Sequence, residues 1–342
     1  MAEAKTLPFE SAAQASRVLG FLDTGNYALN YALSGRLRGG WPLGHTVEIF
    51  GDPSTGKSYL LYRAFAKAQE AGGIALLDEP EGSFNAVWAE EHLGVNADAL
   101  RYTQSMTVSD HLKVGEAFTG LVGKEGFDPG VMGLDSLAVL STDHELKEGL
   151  GKRDMTKAQE VRALFRILKS KLRHVPVTYL IANHVTANIG GWNDRTTPGG
   201  GGPKYHSGVR VDLRSASKIK REGTREYLGV IVNAFVEKNR FGPPWKQVRF
   251  AIPFYEPLLP SSGLIPVLLD VGYLHNHNHW LVVHTGEELK LRVHKTDFLK
   301  QDQSARELLE ARPALLEEAD AYIAQREAVF TMAGAVLEES AE

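Results

Sequence analysis

Thirteen residues constrain this chain more than any others: TVEIFGDPSTGKS, Thr46 to Ser58. An apolar run reading as a buried strand ends in Gly51, and the next residues fit G-x-x-x-x-G-K-[ST], with Lys57 and Ser58 opening a helical pattern. Glycines at both ends let peptide N–H groups wrap an anion, and the helix N-terminus adds its partial positive charge. Lys57 has the reach for the β and γ oxygens of a nucleotide, and Ser58 offers a hydroxyl to Mg²⁺. The candidate nucleotide contacts are Gly51, Asp52, Pro53, Ser54, Thr55, Gly56, Lys57, Ser58 and Tyr59. The competing reading, an ordinary glycine-rich turn, has no need of the flanking strand and helix.

Such a loop requires a parallel sheet behind it, and the rest of the chain supplies one. Three more short apolar runs bounded by turn residues read as buried strands: GIALLD (73–78), VMGLDS (131–136) and VTYLIANH (177–184). Helical patterns over 57–71, 109–122 and 155–172 alternate with them, which gives βαβ units. VRVDLRSASKIK, EYLGVIVNAFVEK and KQVRFAIPFY then extend the sheet through the turn signals REGT and FGPP. The predicted class is α/β, a mainly parallel central sheet flanked by helices. After PLLPSSGL (257–264) the texture shifts to a helix, a hairpin and helices rich in Leu, Ala and Glu, expected to form a small α+β C-terminal domain with an acidic tail.

Composition narrows the chemistry. Among 342 residues, 43% are hydrophobic and 23% charged, which sets aside disorder throughout. The chain has no cysteine, excluding disulfides, thiolate zinc sites and cysteine nucleophiles. Neither a membrane-length apolar run nor a signal-peptide pattern is present, so no membrane partner and a cytoplasmic location are expected. The net charge of −4 confines any nucleic-acid surface to local basic patches.

A phosphate loop needs an acid for the magnesium shell, and VMGLDS delivers Asp135 at a strand end. Helix capping is the alternative role for that aspartate. LLDEPEGSF ends the neighbouring strand with Asp78, Glu79 and Glu81, any of which could orient or deprotonate water. Singly each reads as a solvated charge; their clustering at the carboxyl edge of a parallel sheet favours a site.

These motifs resemble the RecA-type recombinases, and most closely the UvsX-like recombinases of tailed bacteriophages. The similarity runs through LNYALSGRLRGGWPLGHTVEIFGDPSTGKS, ALLDEPEGSFNAVWAEEHLGV, GLDSLAVL, RDMTKAQEVRALFRILKSKL, LIANHVTANIGG, PGGGGPKYHSGVRVDLR and FVEKNRFGPPWK, in that order. It implies a RecA-type ATPase core over 29–263 behind an N-terminal oligomerisation segment, 1–28, with the C-terminal domain at 264–342. It implies ATP and Mg²⁺, self-assembly into a helical filament on single-stranded DNA, pairing and strand exchange with homologous duplex DNA, and single-strand-binding and mediator proteins as partners. If phage-encoded, the chain would work in the cytoplasm of a bacterial host.

Position by position, Glu81 resembles the water-activating glutamate. One extra residue between Asp78 and LGV keeps Glu79 as an alternative. Asn85 and Trp88 match positions that contact and stack on adenine, against a core role for Trp88. His184 resembles the residue that senses the γ-phosphate, against a buried structural histidine. Lys238 and Arg240 match a pair that reaches the ATP of a neighbouring protomer, against two solvated edge-strand charges. Two DNA-binding loops are implied, at about 141–155, with Lys152 and Arg153, and about 188–208, with Arg195, Gly199, Gly200, Gly201, Gly202, Lys204 and Tyr205. The four glycines read as a flexible linker by composition, and as a loop with two conformations by position.

Other functional classes stay open at this point: a ring-forming helicase or translocase on the same fold, or a helper paralogue that binds ATP and DNA without exchanging strands. HNHNH (275–279) reads as a hairpin turn in preference to a metal site, and SKIKREGTR (217–225) equally as phosphate contacts or a solvated hairpin end. FESAAQASRVLGFL, residues 9–22, has a helical pattern.

Overall fold

The computed structural model describes residues 18–148, 156–187, 195–199, 201–292, 294 and 297–328. The elements run β1 (Phe21–Leu22), α1 (Tyr27–Ser34), β2 (Trp41–Pro42), β3 (Thr46–Gly51), α2 (Lys57–Glu70), β4 (Ile74–Asp78), α3 (Ala86–Leu93), β5 (Arg101–Thr103), α4 (Val108–Glu125) and β6 (Gly130–Asp135). Next come α5 (Asp143–Glu148), α6 (Thr156–Leu172), β7 (Val177–His184), β8 (Thr186–Ala187), β9 (Arg195–Thr196), α7 (Gly201–His206), β10 (Val209–Lys220), β11 (Tyr227–Asn239) and β12 (Gln247–Pro253). The chain closes with α8 (Leu264–Asp270), β13 (Leu274–His277), β14 (Trp280–Val283), β15 (Glu288–Arg292), α9 (Phe298–Ala311) and α10 (Leu315–Ala328).

Eight strands form the main sheet in the order β12-β11-β10-β3-β7-β6-β4-β5. From β10 to β5 every pairing is parallel, and β11 and β12 add antiparallel at one edge. The α/β reading holds. β3, β4 and β6 are buried along their whole length, as expected of strands covered on both faces. On one face α2 places Leu60, Leu61 and Phe65 in the core; on the other α4 and α6 contribute Phe118, Val122, Leu164, Phe165 and Leu168. Phe165, 1% exposed, lies 6.4 Å from the Tyr179 ring, and cutting it to alanine would cost about 3–5 kcal/mol.

Helix starts follow local chemistry. Asn26, Asn85, Thr107 and Asp297 each accept a hydrogen bond from the peptide N–H three residues on, satisfying a donor the helix leaves unpaired.

Three differences from the sequence reading have physical reasons. β5 was not anticipated: it is short, largely exposed and at the sheet edge, so no apolar run announces it. Phe21 and Leu22, the end of the helical pattern over 9–22, form a strand paired with Trp41 and Pro42; residues 9–17 lie outside the described residues. The glycine run does not continue as a loop, because Gly201 and Gly202 open α7 and Gly202 packs against Val161 and Phe165.

The C-terminal region carries a three-stranded antiparallel sheet, β13-β14-β15, with α8, α9 and α10. Its apolar residues, from Leu264 to Ile323, join the same buried cluster as β10, β11 and α2. Asp302, 3% exposed, accepts from Ser262 Oγ at 2.6 Å and Gly263 N at 3.0 Å, and Asp320 accepts from Leu37 N at 2.7 Å. HNHNH is a hairpin turn through Asn278 and His279, both at positive φ. No group of three metal-ligating side chains occurs among the described residues, and no described helix is long and apolar enough to cross a membrane. The acidic tail lies outside the described residues.

Candidate nucleotide site and nucleic-acid interface

β3 runs into the loop 52–56 and α2 starts at Lys57, so the loop sits at the carboxyl edge of the sheet. Two glycines are sterically required here. A Cβ on Gly51 would lie 2.2 Å from the Leu213 carbonyl oxygen, and Gly56, at φ 92°, would put one 2.4 Å from Ile252 Cδ1. Thr55, buried, donates to the Asp52 carbonyl at 2.9 Å and fixes the turn. Asp52, Pro53 and Ser54 form its exposed rim, and Gly56 and Ser58 are partly exposed. Lys57 is buried, its Nζ donating to the carbonyls of Gly51 at 3.1 Å and Asp52 at 2.8 Å. Burial lowers its pKa, and the carboxylates of Asp135, Asp52 and Glu81 pull it back up.

Those carboxylates have sharply different surroundings. Asp135 ends β6 almost fully buried, within 3.5 Å of the Tyr62 hydroxyl and hydrogen-bonded to the Ser58 side chain. Burial raises its pKa, and Glu81 and Glu79 add to the rise. Asp78 turns away from the site, accepting from Ser105 N at 2.8 Å and facing His111 Nδ1 at 2.7 Å in the core. Glu79 is also fully buried, and both its oxygens accept: Oε1 from Ser83 N at 2.8 Å and Ser83 Oγ at 2.9 Å, Oε2 from the Tyr102 hydroxyl at 3.2 Å. Glu81 is exposed and different in kind. Ser136, next to Asp135, donates to its Oε1 at 2.7 Å, and His184 Nε2 lies 3.3 Å from the same oxygen. The sequence left Glu79 as an alternative to Glu81; their surroundings differ, since Glu79 is fully buried with both oxygens already accepting from Ser83 and Tyr102, whereas Glu81 is exposed.

An all-oxygen set at a buried acid suits Mg²⁺, which takes few protein ligands and keeps waters and phosphate oxygens. Ser58 and Asp135 are the residues that would hold it, and the ion would neutralise charge on the phosphates.

On the outer side of α2, Asn85 caps α3 through its side-chain oxygen, 3.0 Å from Trp88 N. Trp88 is half-buried, donates from Nε1 to the Phe254 carbonyl at 3.2 Å and lies edge-on to Tyr59 and His92. The indole is thus partly core and partly surface. Tyr59, buried, donates to the Glu256 carbonyl at 2.9 Å.

The glycine-rich segment follows from the carboxyl end of β7, just beyond His184. β9, with Arg195, pairs with β8, and α7 presents Lys204 and an exposed Tyr205. Lys152, Arg153 and Gly200 lie outside the described residues, and of Arg195 only the backbone is described. Of the first loop, Asp143–Glu148 is helical. Lys238 Nζ donates to the carbonyls of Lys204 at 2.8 Å and Tyr205 at 3.0 Å, and Arg240 donates to Tyr205 O at 3.2 Å. Both cations therefore sit on one face, at the C-terminal end of α7. Burial, then the charges of Arg240, Arg210 and Lys169, brings the Lys238 pKa down to about 8.

The sequence reading missed a basic stripe on α6. Arg162, Arg166 and Lys169, the first two exposed and the third partly so, recur at spacings of four and three, exposed Arg173 follows just past the helix end, and a Cβ on Gly201 would lie 3.8 Å from Arg162 Nε. That periodicity was the available signal. The hairpin end in SKIKREGTR is exposed, with Arg221 paired to Glu226 at 2.7 Å and Lys218 and Lys220 about Tyr227.

Comparison with known proteins places the chain in a family. The RecA N-terminal domain family matches residues 10–258. The RecA protein of Bacteroides thetaiotaomicron is 31% identical over 262 residues, 76% of each chain. That of Tropheryma whipplei is 31% identical over 294 residues, 84% of this chain and 64% of its own. That of Thermus thermophilus is 30% identical over 308 residues, 89% of this chain and 85% of its own. RecA proteins are recombinases that use ATP and Mg²⁺, hydrolyse ATP in a DNA-dependent way and exchange DNA strands. The phosphate loop, the acids facing it and the matched length lead to one statement: this chain belongs to the RecA family and is a recombinase of that type.

Proposed function

We infer that ATP hydrolysis in this recombinase is carried by Glu81 as the water-activating base, with Lys57 and the peptide N–H groups of 51–58 on the phosphates and His184 reporting the γ-phosphate. The observation that carries this reading is the meeting of Ser136 and His184 on one oxygen of Glu81. Such an oxygen is positioned, still exposed, and directly linked to the side chain that senses phosphate. Asn85 and Trp88 border the adenine, with Tyr59 behind them. Lys238 and Arg240 reach the triphosphate of the next protomer in the filament and neutralise charge as it develops there. The DNA lies along the glycine-rich segment, Gly199–Gly202 with Arg195, Lys204 and Tyr205, and along Lys152 and Arg153 of the first loop. Arg162 and Arg166 of α6 extend that surface, since exposed guanidinium groups beside the segment suit phosphates.

The finer assignments belong to the same reading. Within the family the chain stands with the UvsX-like phage recombinases, works in a bacterial host cell, and divides into an oligomerisation segment (1–28), an ATPase core (29–263) and a C-terminal domain (264–342). A single-strand-binding protein and a mediator are its expected partners.

Purified protein with single-stranded DNA, homologous duplex, ATP and Mg²⁺ tests the function. Joint molecules, and helical filaments by electron microscopy with a slowly hydrolysed ATP analogue, are the expected outcome. Closed rings without filaments would make the chain a translocase, and no joint molecules at saturating ATP would make it a helper.

A further inference from the structure

Beneath the glycine-rich segment lies a polar network that plays no part in the site described above. Glu48, Asn183 and Arg210 are each at least 95% buried, on three adjacent strands, β3, β7 and β10. Arg210 donates from Nε to Glu48 Oε2 at 2.6 Å, from Nη1 to Glu237 on β11, and from Nη2 to Thr197 Oγ1 at 3.4 Å. Its guanidinium lies 4.5 Å from the Phe50 ring, one residue before the phosphate loop. Asn183 uses both ends of its amide. Nδ2 donates to Glu48 Oε1 at 2.8 Å and to the Pro198 carbonyl at 3.1 Å, while Oδ1 accepts from His184 N at 3.1 Å.

Burying a charged cluster in the middle of a sheet is costly, and a well-packed apolar set of similar volume commonly serves stability as well or better. Stability alone therefore leaves this arrangement without a reason. Its contacts supply one. Pro198 and Thr197 are the last residues before the glycines, His184 follows Asn183 directly, and Glu237 precedes Lys238. One network thus touches the root of the glycine-rich segment, the strand bearing His184, the phosphate-loop strand and the strand bearing Lys238.

We propose that Asn183 is a positioning residue for the DNA-stimulated reaction: seated on the Glu48–Arg210–Glu237 bridge, it ties Pro198 to the strand that carries His184. DNA that moves the glycine-rich segment thereby moves the backbone of the residue facing Glu81, and phosphate contacts at His184 bias the segment in return, as linkage requires. Asn183 touches neither nucleotide nor DNA. The proposal rests on the roles given above to His184 and to the glycine-rich segment.

Proton counting provides the test. Asn183→Asp keeps the acceptor for His184 N, removes the donor to Pro198 O and sets a carboxylate against Glu48. Adding Glu48→Gln repairs that clash, since the new amide donates to the introduced carboxylate while its oxygen still accepts from Arg210; the Pro198 carbonyl stays unserved. In the full-length chain, stimulation of ATP turnover by single-stranded DNA should fall about tenfold in Asn183→Asp, the shift one lost buried hydrogen bond commonly produces. Turnover without DNA and the KM for ATP should stay within about threefold. The double variant should regain the melting temperature and leave stimulation low. Recovery of both would mean that Asn183 serves stability only and would overturn the proposal, as would a single variant with normal stimulation. If the single variant does not fold, the double variant alone decides. No DNA stimulation in the unaltered chain would instead overturn the functional reading and this proposal with it.

Discussion

The phosphate loop of this site and the glycine-rich segment proposed to hold DNA are held in opposite ways. Around the phosphate loop the chemistry resides in side chains, and each has been fixed by others: Glu79 by Ser83 and Tyr102, Asp78 by Ser105 and His111, Glu81 by Ser136 and His184. At the glycine-rich segment, side chains from elsewhere grip backbone carbonyls: Asn183 on Pro198, Lys238 on Lys204 and Tyr205, Arg240 on Tyr205. Side-chain pairing gives one geometry, which hydrolysis needs. A backbone gripped at a few points can exchange its donors as a unit, which a segment that responds to DNA and nucleotide needs. Perturbing side-chain identity should therefore damage the first region and perturbing backbone freedom the second.

The sharpest test of that contrast is at the paired glutamates. Glu81→Gln should lower DNA-stimulated ATP turnover by about 10²–10⁴-fold, the range for losing a general base. It should leave filament formation with a slowly hydrolysed analogue intact. Glu79→Gln, which disturbs a carboxylate already satisfied by three donors, should lower the melting temperature and change turnover much less. Steady-state ATPase assays beside thermal melts read both, and the reverse pattern would move the base to Glu79.

What the sequence made legible follows the same division. The phosphate loop, the buried strands and Asp135 are local signals: a motif of eight residues, apolar runs, an acid at a strand end. Resemblance already favoured Glu81 over Glu79; the contacts that support it in the structure come from partners no spacing reveals, because Ser136 is 55 residues away and His184 is 103. Asn183 and Glu48, 135 residues apart, meet only once the sheet order is known. α7 was hidden for another reason: a run of glycine and proline reads as a loop, and packing on Val161 and Phe165 overrides that propensity.

Packing on α6 sets the second test. A Cβ on Gly202 would stand 2.8 Å from Val161 Cγ1, and one on Gly199, at φ 94°, 3.1 Å from Leu137 Cδ2. Replacing Gly199 to Gly202 with alanine should push the segment off α6 and remove its left-handed backbone. Overpacking of this kind costs about 1–3 kcal/mol, so affinity for single-stranded DNA should fall roughly 10–100-fold. Turnover without DNA should be nearly unchanged. Fluorescence titration with oligonucleotides checks the first value, and unaltered DNA affinity would reduce the run to a spacer.

The smallest expected effect joins the two regions, because Lys238, which holds the end of α7, is also proposed to reach a neighbouring nucleotide. Its pKa is lowered to about 8, by burial first and then by Arg240, Arg210 and Lys169. For a base, a lowered pKa means that the cation is present below that pH and lost above it. If Lys238 supplies positive charge to a neighbouring nucleotide, kcat/KM for DNA-stimulated hydrolysis, which reports the free protein, should fall as pH rises from 7 to 9. At pH 9 about a tenth of the side chain stays charged, so the drop should approach tenfold. In kcat the limb should weaken, because bound triphosphate stabilises the cation. Lys238→Arg keeps its charge throughout and should flatten the profile. A profile in the arginine variant that still bends near pH 8 would assign the limb to another group, and Lys238 would then be only a cap on α7.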